Sequence, residues 1–318
     1  MAYELAGKMV IGVSSRALFD LTVENQIFEE QGLEAYQEYQ LQHEDVVLGK
    51  GPGFALIRNL LALNDLLPDK RPVEVIIMSR NSTNTSLRVF HSIEHYGLDI
   101  TRAVLVSGAP LSPYLKAFHT DLFLSAYEDD VQKAIDDGIA AGIICTDHIY
   151  EDRGDGSIRI AFDGDAVIFS DSSELVYKQG GLKAFEENER KNADTPLEEG
   201  PFAGFLRKLS AIQEELGPDH CPIRTALVTS RNAPAHERVI KTLRSWNVRL
   251  DEAFFLGGIE KKDFLKAFGA QIFFDDQSVH TTPASEEVPS ARVPYRGGVL
   301  GGDDGKAVNG PGDPPASG

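Results

Sequence analysis

Short continuous apolar runs punctuate this chain, each ending in a small polar turn. Met9-Val10-Ile11-Gly12-Val13 runs into Ser14-Ser15-Arg16, and Val73-Glu74-Val75-Ile76-Ile77-Met78 into Ser79-Arg80-Asn81. Val104-Leu105-Val106 and Leu122-Phe123-Leu124 are shorter runs of the same kind. Unbroken apolar runs of this length predict strands buried on both faces. Residues 26–43, 84–96 and 115–118 carry the spacing of helices between them. The alternation predicts an α/β fold with a mostly parallel sheet, whose ligands bind beyond the carboxyl ends of the strands. A Gly-rich turn, Gly49-Lys50-Gly51-Pro52-Gly53, precedes a further helix from Phe54. Such a turn can hold phosphate on its N–H groups, but this one lacks the spacing of a Walker loop, which favours a plain loop and helix start.

The pattern repeats at a separation near 150. Leu115-Lys116-Ala117-Phe118 recurs as Leu265-Lys266-Ala267-Phe268, Gly108 matches Gly258, and Leu122-Phe123-Leu124 falls on Ile272-Phe273-Phe274. With a shift of one, Met78-Ser79-Arg80-Asn81 falls on Thr229-Ser230-Arg231-Asn232, and Ile11–Leu18 on Ile160–Val167. Four strands in one order and a near-constant register predict two related Rossmann-like units with mostly parallel sheets, residues 1–150 and 151–296.

What differs between the copies is polar and falls at the strand ends. The second copy has Asp163 with Asp165, then Thr229, Lys261, and Asp275 with Asp276, where the first has Ser14 with Arg16, Met78, Leu111, and Ser125 with Ala126. Asp163-Gly164-Asp165 alone is compatible with a surface turn, since Asp-Gly favours hairpins. A surface turn gives no reason for reactive groups to gather selectively at the sheet ends of one copy. Clustered carboxylates suit a hard divalent cation, and Mg²⁺ pairs one or two of them with a substrate phosphate. Asp163 can then attack phosphorus, Asp165 can protonate the departing oxygen and activate water, and Lys261 and Thr229 can bind the phosphate oxygens.

Charge sharpens this picture. With 49 acidic and 31 basic residues the net charge is -18, which argues against tracking a nucleic-acid backbone and makes a cation necessary at any phosphate site. The two cysteines, Cys145 and Cys221, have no paired spacing and predict neither a disulfide framework nor a zinc site. No apolar stretch is long enough to span a bilayer and no leader pattern opens the chain, so a cytoplasmic protein is expected. After Tyr295 the composition shifts to Gly, Asp and Pro, which predicts a disordered tail over 297–318.

The order Asp-x-Asp, Thr or Ser, Lys, then Asp-Asp, each after a strand or at a helix start, resembles the haloacid dehalogenase superfamily of phosphotransferases. Within it, Phe162–Asp171, Ser15–Asp20, Gly200-Pro201 and Ile272–Gln277 resemble the cytosolic type I 5'-nucleotidases, over a span from about residue 9 to Val293-Pro294-Tyr295. The resemblance implies Mg²⁺-dependent hydrolysis of nucleoside 5'-monophosphates, AMP among them, through an aspartyl-phosphate on Asp163. It implies Asp165 as general acid/base, Thr229 and Lys261 as phosphate-binding groups, and Asp163, Asp165 (through its carbonyl), Asp275 and Asp276 around the metal. Ser230 is an alternative to Thr229, and Lys262 to Lys261. An insertion at 172–222 is expected to form a small helical cap, with Phe185, Phe202 and Phe205 assigned to its core in preference to a base-stacking role. Arg231 is expected to reach phosphate or a site carboxylate, and Arg16 to contact substrate from the silent copy. A phosphatase acting on sugar phosphates and a non-catalytic nucleotide-binding protein are the alternatives. The sequence leaves oligomeric state open, a homo-oligomer included.

Overall fold

The computed structural model describes residues 4–148, 150 and 154–300. Five strands come from the first part of the chain, β1 (Met9–Val13), β4 (Val73–Ser79), β5 (Arg102–Leu105), β6 (Leu122–Ser125) and β7 (Ala140–Ile144). Five come from the second, β8 (Ile158–Phe162), β9 (Ile223–Thr229), β10 (Glu252–Phe255), β11 (Ile272–Asp275) and β12 (Ser290–Arg292). A small antiparallel pair, β2 (Phe19–Asp20) with β3 (Gly49–Lys50), stands apart. The helices are α1 (Ser15–Leu18), α2 (Thr22–Gln42), α3 (Phe54–Leu66), α4 (Leu87–His95), α5 (Ser112–Ala117) and α6 (Glu128–Asp136) in the first part. In the second they are α7 (Ser172–Lys191), α8 (Ala203–Leu216), α9 (His236–Ser245), α10 (Lys262–Phe268) and α11 (Ser278–Ser285).

All ten longer strands join one sheet, in the order β10-β9-β8-β11-β12-β7-β6-β1-β4-β5. Every neighbouring pair is parallel except β12 with β7, which is antiparallel. The expectation of separate sheets is therefore corrected to one continuous sheet. The single antiparallel seam has a large consequence. The carboxyl ends of β1 and β4–β7 lie along one edge of the sheet, and those of β8–β12 along the opposite edge.

The two seam strands escaped the hydrophobic pattern. Ala140-Ala141-Gly142-Ile143-Ile144 and Ser290-Ala291-Arg292 offer small side chains where a buried strand normally shows Val, Ile or Leu. The small residues answer to space, because a Cβ at Gly142 would stand 2.9 Å from the Ala291 Cβ and 3.1 Å from the Phe274 ring.

Helices cover both faces of the sheet. α3 buries Phe54, Leu56, Ile57, Leu60 and Leu63, and α8 buries Phe205, Leu206, Leu209 and Ile212. Phe162, Phe202, Phe205 and Phe274 form one aromatic cluster beneath β8 and β11. Of the 172–222 insertion, α8 thus belongs to the layer packed on the sheet. The Gly-rich turn is structural, since the N–H groups of Gly51 and Gly53 donate to the carbonyls of Leu18 and Ala17 at 3.0 and 2.8 Å. At the C-terminal end Arg296–Gly298 form a 3-10 turn and Leu300 is buried, so the described chain continues past residue 296. The remainder of the expected tail, from 301, lies outside the described residues.

The seam makes a testable demand. Gly142→Val places a branched side chain against the Ala291 Cβ and should destabilise the fold by about 3 kcal/mol. Chemical denaturation of the variant against wild type measures it, and equal stability would show that the seam tolerates the added volume.

Candidate active site

Backbone geometry brings the reactive groups together. β8 ends at Phe162, and the Asp163 N–H donates to the Phe274 carbonyl of β11 at 2.8 Å, which fixes the two strand ends side by side. The chain then turns through Gly164–Ile168, closed by the Phe169 N–H donating to the Gly164 carbonyl at 2.9 Å. Ala166 within this turn sits at φ 59°, a left-handed conformation costly for a residue with a Cβ and concentrated at functional sites. The turn is pinned from below by Gly200, whose Cβ position lies 2.3 Å from the Phe169 carbonyl oxygen, so only glycine fits there.

Lys261, at the cap of α10, lies between two strand ends. Its Nζ donates to Asp163 Oδ1 at 2.5 Å and to Asp275 Oδ2 at 2.6 Å, and all three side chains are buried. Asp276 lies beside them. Its Oδ2 accepts from the Tyr295 hydroxyl, while its Oδ1 is buried with no hydrogen-bond partner. Asp163, Asp275 and Asp276 each offer an oxygen within 4.8 Å of the others. Two of these three clustered carboxylates share one ammonium, and Asp276 has none. Burial pushes the Asp163 carboxyl up to about 6, against the pull of Lys261, and burial likewise raises Asp275 and Asp276. Burial opposes the charge on Lys261, but Asp163 and Asp275 outweigh it and hold the ammonium above its ordinary value. A hard cation with oxygen ligands fits this donor set, because it would supply the missing positive charge and a partner for the orphaned Asp276 oxygen.

Asp165 points elsewhere. Arg231 holds it in a two-pronged pair, Nε to Oδ2 at 2.8 Å and Nη2 to Oδ1 at 2.6 Å, and reaches Glu189 of α7 with Nη1 at 2.7 Å. Arg238 and Ser173 also donate to Glu189, at 2.9 and 3.2 Å. The buried Glu189 therefore ties α7 to the end of β9 and to Asp165. Thr229 closes the site from β9, its hydroxyl 3.3 Å from the position a Cβ would take on Gly164.

The structure thus brings Asp163, Thr229, Lys261, Asp275 and Asp276 together, with Asp165 and Arg231 adjoining as an ion pair. Ser230 is exposed beside Thr229, and Lys262 is on the surface paired with Glu286. Arg16 is not at this site. It follows β1, five strands from β8 and so roughly 24 Å away along the sheet, and on the opposite edge because of the seam. Its expected contact with substrate here is corrected on that ground. Sequence reasoning missed Glu174, Glu189 and Tyr295. The Tyr295 hydroxyl bridges Asp276 and Glu174, the latter at 3.3 Å, and burial raises the Glu174 carboxyl. Glu174 and Glu189 share α7 with Glu186 and Glu187, which reach solvent, and no sequence pattern separates the two kinds.

A family model described as 5'-nucleotidase matches residues 1–298. The chain belongs to the 5'-nucleotidase family. It is also 40% identical over 285 residues to human cytosolic 5'-nucleotidase 1B, which covers 86% of this chain and 46% of that protein. The chain spans about half the length of this relative. No solved structure matches it. Within this 5'-nucleotidase family chain, the buried carboxylates make a prediction that needs no substrate. A carboxyl raised from 3.8 to about 6 binds its proton more tightly in the folded state, so its contribution to stability is full below the unfolded value and is lost as pH rises through about 6. In chelator, wild type should lose more stability than Asp163→Asn between about pH 5 and about pH 8, with divalent cation narrowing the difference. Parallel pH dependence in the two proteins would remove the burial argument.

Proposed function

We propose that this chain is a Mg²⁺-dependent phosphohydrolase that converts nucleoside 5'-monophosphates to nucleoside and phosphate through an aspartyl-phosphate on Asp163. The observation that carries this reading is the Lys261 bridge between Asp163 and Asp275, in a chain of the 5'-nucleotidase family. Lys261 engages Asp163 Oδ1 and leaves Oδ2 to attack phosphorus. As the phosphorus–oxygen bond to the nucleoside breaks, Asp165 gives its proton to the departing oxygen. Asp165 then takes a proton from water, whose oxygen attacks phosphorus, releases phosphate and restores the Asp163 carboxylate. Both Asp165 oxygens face Arg231. On this scheme one of them turns from Arg231 to reach the departing oxygen.

Asp163, Asp275 and Asp276, with the Asp165 carbonyl, would hold Mg²⁺, which supplies electrostatic stabilisation of the phosphate oxygens when bound. Thr229 and Lys261 orient the same oxygens, and Arg231 and Ser230 are proposed to contact substrate. A cavity of about 400 Å³ lined by Ala166, Ser170, Gly200, Phe205 and Tyr295 runs beside the cluster and suits a nucleoside in size. α7, held down through Glu189, is the part of 172–222 that acts as the cap on this reading.

The mirrored strand orders, β5-β4-β1-β6-β7 and β10-β9-β8-β11-β12, support two related Rossmann-like units, 1–150 silent and 151–296 catalytic and haloacid dehalogenase-like. Among the described residues no helix is long and apolar enough to cross a membrane, and the human relative's name includes "cytosolic"; a cytoplasmic site of action is proposed.

Phosphate release from a panel of nucleoside monophosphates and sugar phosphates, with Mg²⁺ and with chelator, tests the proposal. AMP-like substrates should be hydrolysed only with the metal, and Asp163→Asn should lose more than about a thousandfold in turnover. Turnover retained in Asp163→Asn would refute the nucleophile, and a preference for sugar phosphates would refute the substrate class.

A further inference from the structure

A second cavity, of about 320 Å³, lies on the other edge of the sheet, beyond β1, β4 and β5 and beneath α2. Its walls are largely apolar, with Leu21, Phe28, Leu33 and the Tyr36 ring, and its polar anchors are Arg16 and Asn81. Phe28 and Leu33 are about half exposed, at 49% and 58%, although they belong to the lining.

Hydrogen-bond accounting shows what this cavity lacks. Tyr36 accepts from Gln40 Nε2 at 3.1 Å, so its one hydroxyl proton goes to Asn81 Oδ1, also at 3.1 Å. That fixes the orientation of the Asn81 amide and leaves Nδ2 as a donor, which is buried and has no partner. Arg16 donates from Nη1 to Asn25 Oδ1 at 2.9 Å, while its Nε is buried and also has no partner. The neighbouring acids are already engaged. Asp130 takes Arg80 at 2.6 and 2.8 Å, and Glu24 takes Arg88. No carboxylate of the described residues pairs with Arg16, in a chain where acids outnumber bases by 49 to 31. Two buried donors without acceptors are costly to desolvate, and an incoming acceptor recovers that cost.

We propose that this cavity is a second small-molecule site, distinct from the catalytic one, that takes a planar aromatic anion. The anionic group accepts from Arg16 Nε and Asn81 Nδ2, and the ring system lies on Phe28, Leu33 and Tyr36. Neutral apolar ligands would leave both donors unpaired, and cationic ones would meet Arg16.

Titration with 8-anilinonaphthalene-1-sulfonate, an aromatic sulfonate with a fluorescence readout, tests the site on the full chain. Wild type and Asp163→Asn should bind the probe saturably with equal affinity, since the catalytic residues lie on the opposite edge. Arg16→Gln and Asn81→Leu should each weaken binding by tenfold or more. Phe28→Glu, at a half-exposed position where folding is not at stake, should weaken it as much by placing a carboxylate at the mouth. Phe28→Glu and Arg16→Gln binding the probe as wild type does would overturn the proposal, as would loss of binding in Asp163→Asn.

Discussion

Three buried carboxylates beside a single ammonium are the constraint on which the second half of the sheet depends. Moving a charge out of water is costly, and Lys261 answers only part of the cost for Asp163, Asp275 and Asp276. The surplus negative charge cannot be relieved by exposure, because the cluster sits where β8 and β11 meet and the aromatic group of Phe162, Phe202 and Phe274 fills the space beneath. The fold thus holds acids at a spacing that solvent would not choose. The same arrangement makes the site selective. A group that relieves it is best small, hard and positive, and on the proposed function the substrate's phosphate oxygens meet that cation and Lys261.

A second ion-pair system limits how the site opens. Arg231 joins Asp165 to Glu189, and Arg238 joins Glu189 to α9. Breaking a buried pair by removing one partner leaves the other uncompensated, at a cost of several kcal/mol. Any motion of α7 away from the sheet therefore either breaks the Glu189–Arg231 pair or draws Arg231 away from Asp165. On the proposed mechanism the second course lets an Asp165 oxygen turn toward the departing group.

Much of the frame is legible in the sequence because buried parallel strands advertise themselves. β1, β4, β6, β8, β9 and β11 are apolar runs, and the repeat near 150 places their ends in register. The residues that converge at the site are legible for the same reason, as polar groups directly after such runs. The seam is not legible, since Gly142, Ala291 and their neighbours are chosen for close approach and carry little hydrophobic signal. Without the seam the relative direction of the two halves is undetermined, and Arg16 falls to the wrong edge. Glu189 and Tyr295 act through contacts to Arg231 and Asp276 that are distant in sequence or in fold, which no local pattern encodes.

At one matched position the two edges carry opposite charge, Asp165 on one and Arg16 on the other. Arg80 and Arg231 each stand two residues past a matched buried position, Met78 of β4 and Thr229 of β9, and each takes a carboxylate in a two-pronged pair. On the edge that holds the carboxylate cluster it is Asp165. Across the sheet the matching position holds Arg16, which cannot serve Arg80, and the carboxylate comes instead from Asp130, the third residue of α6. The third residue of α11 is His280, so the edge with the carboxylate cluster has no counterpart acid there, and Arg231 takes Asp165 instead. Supplying Arg80 from α6 frees the Arg16 position from providing it an acid, and Arg16 keeps only its contact with Asn25 among the described side chains. An arginine in that place, left without an acid by a strongly acidic chain, is on this proposal a site for an anion from outside, as the acids on the opposite edge are suited to a cation.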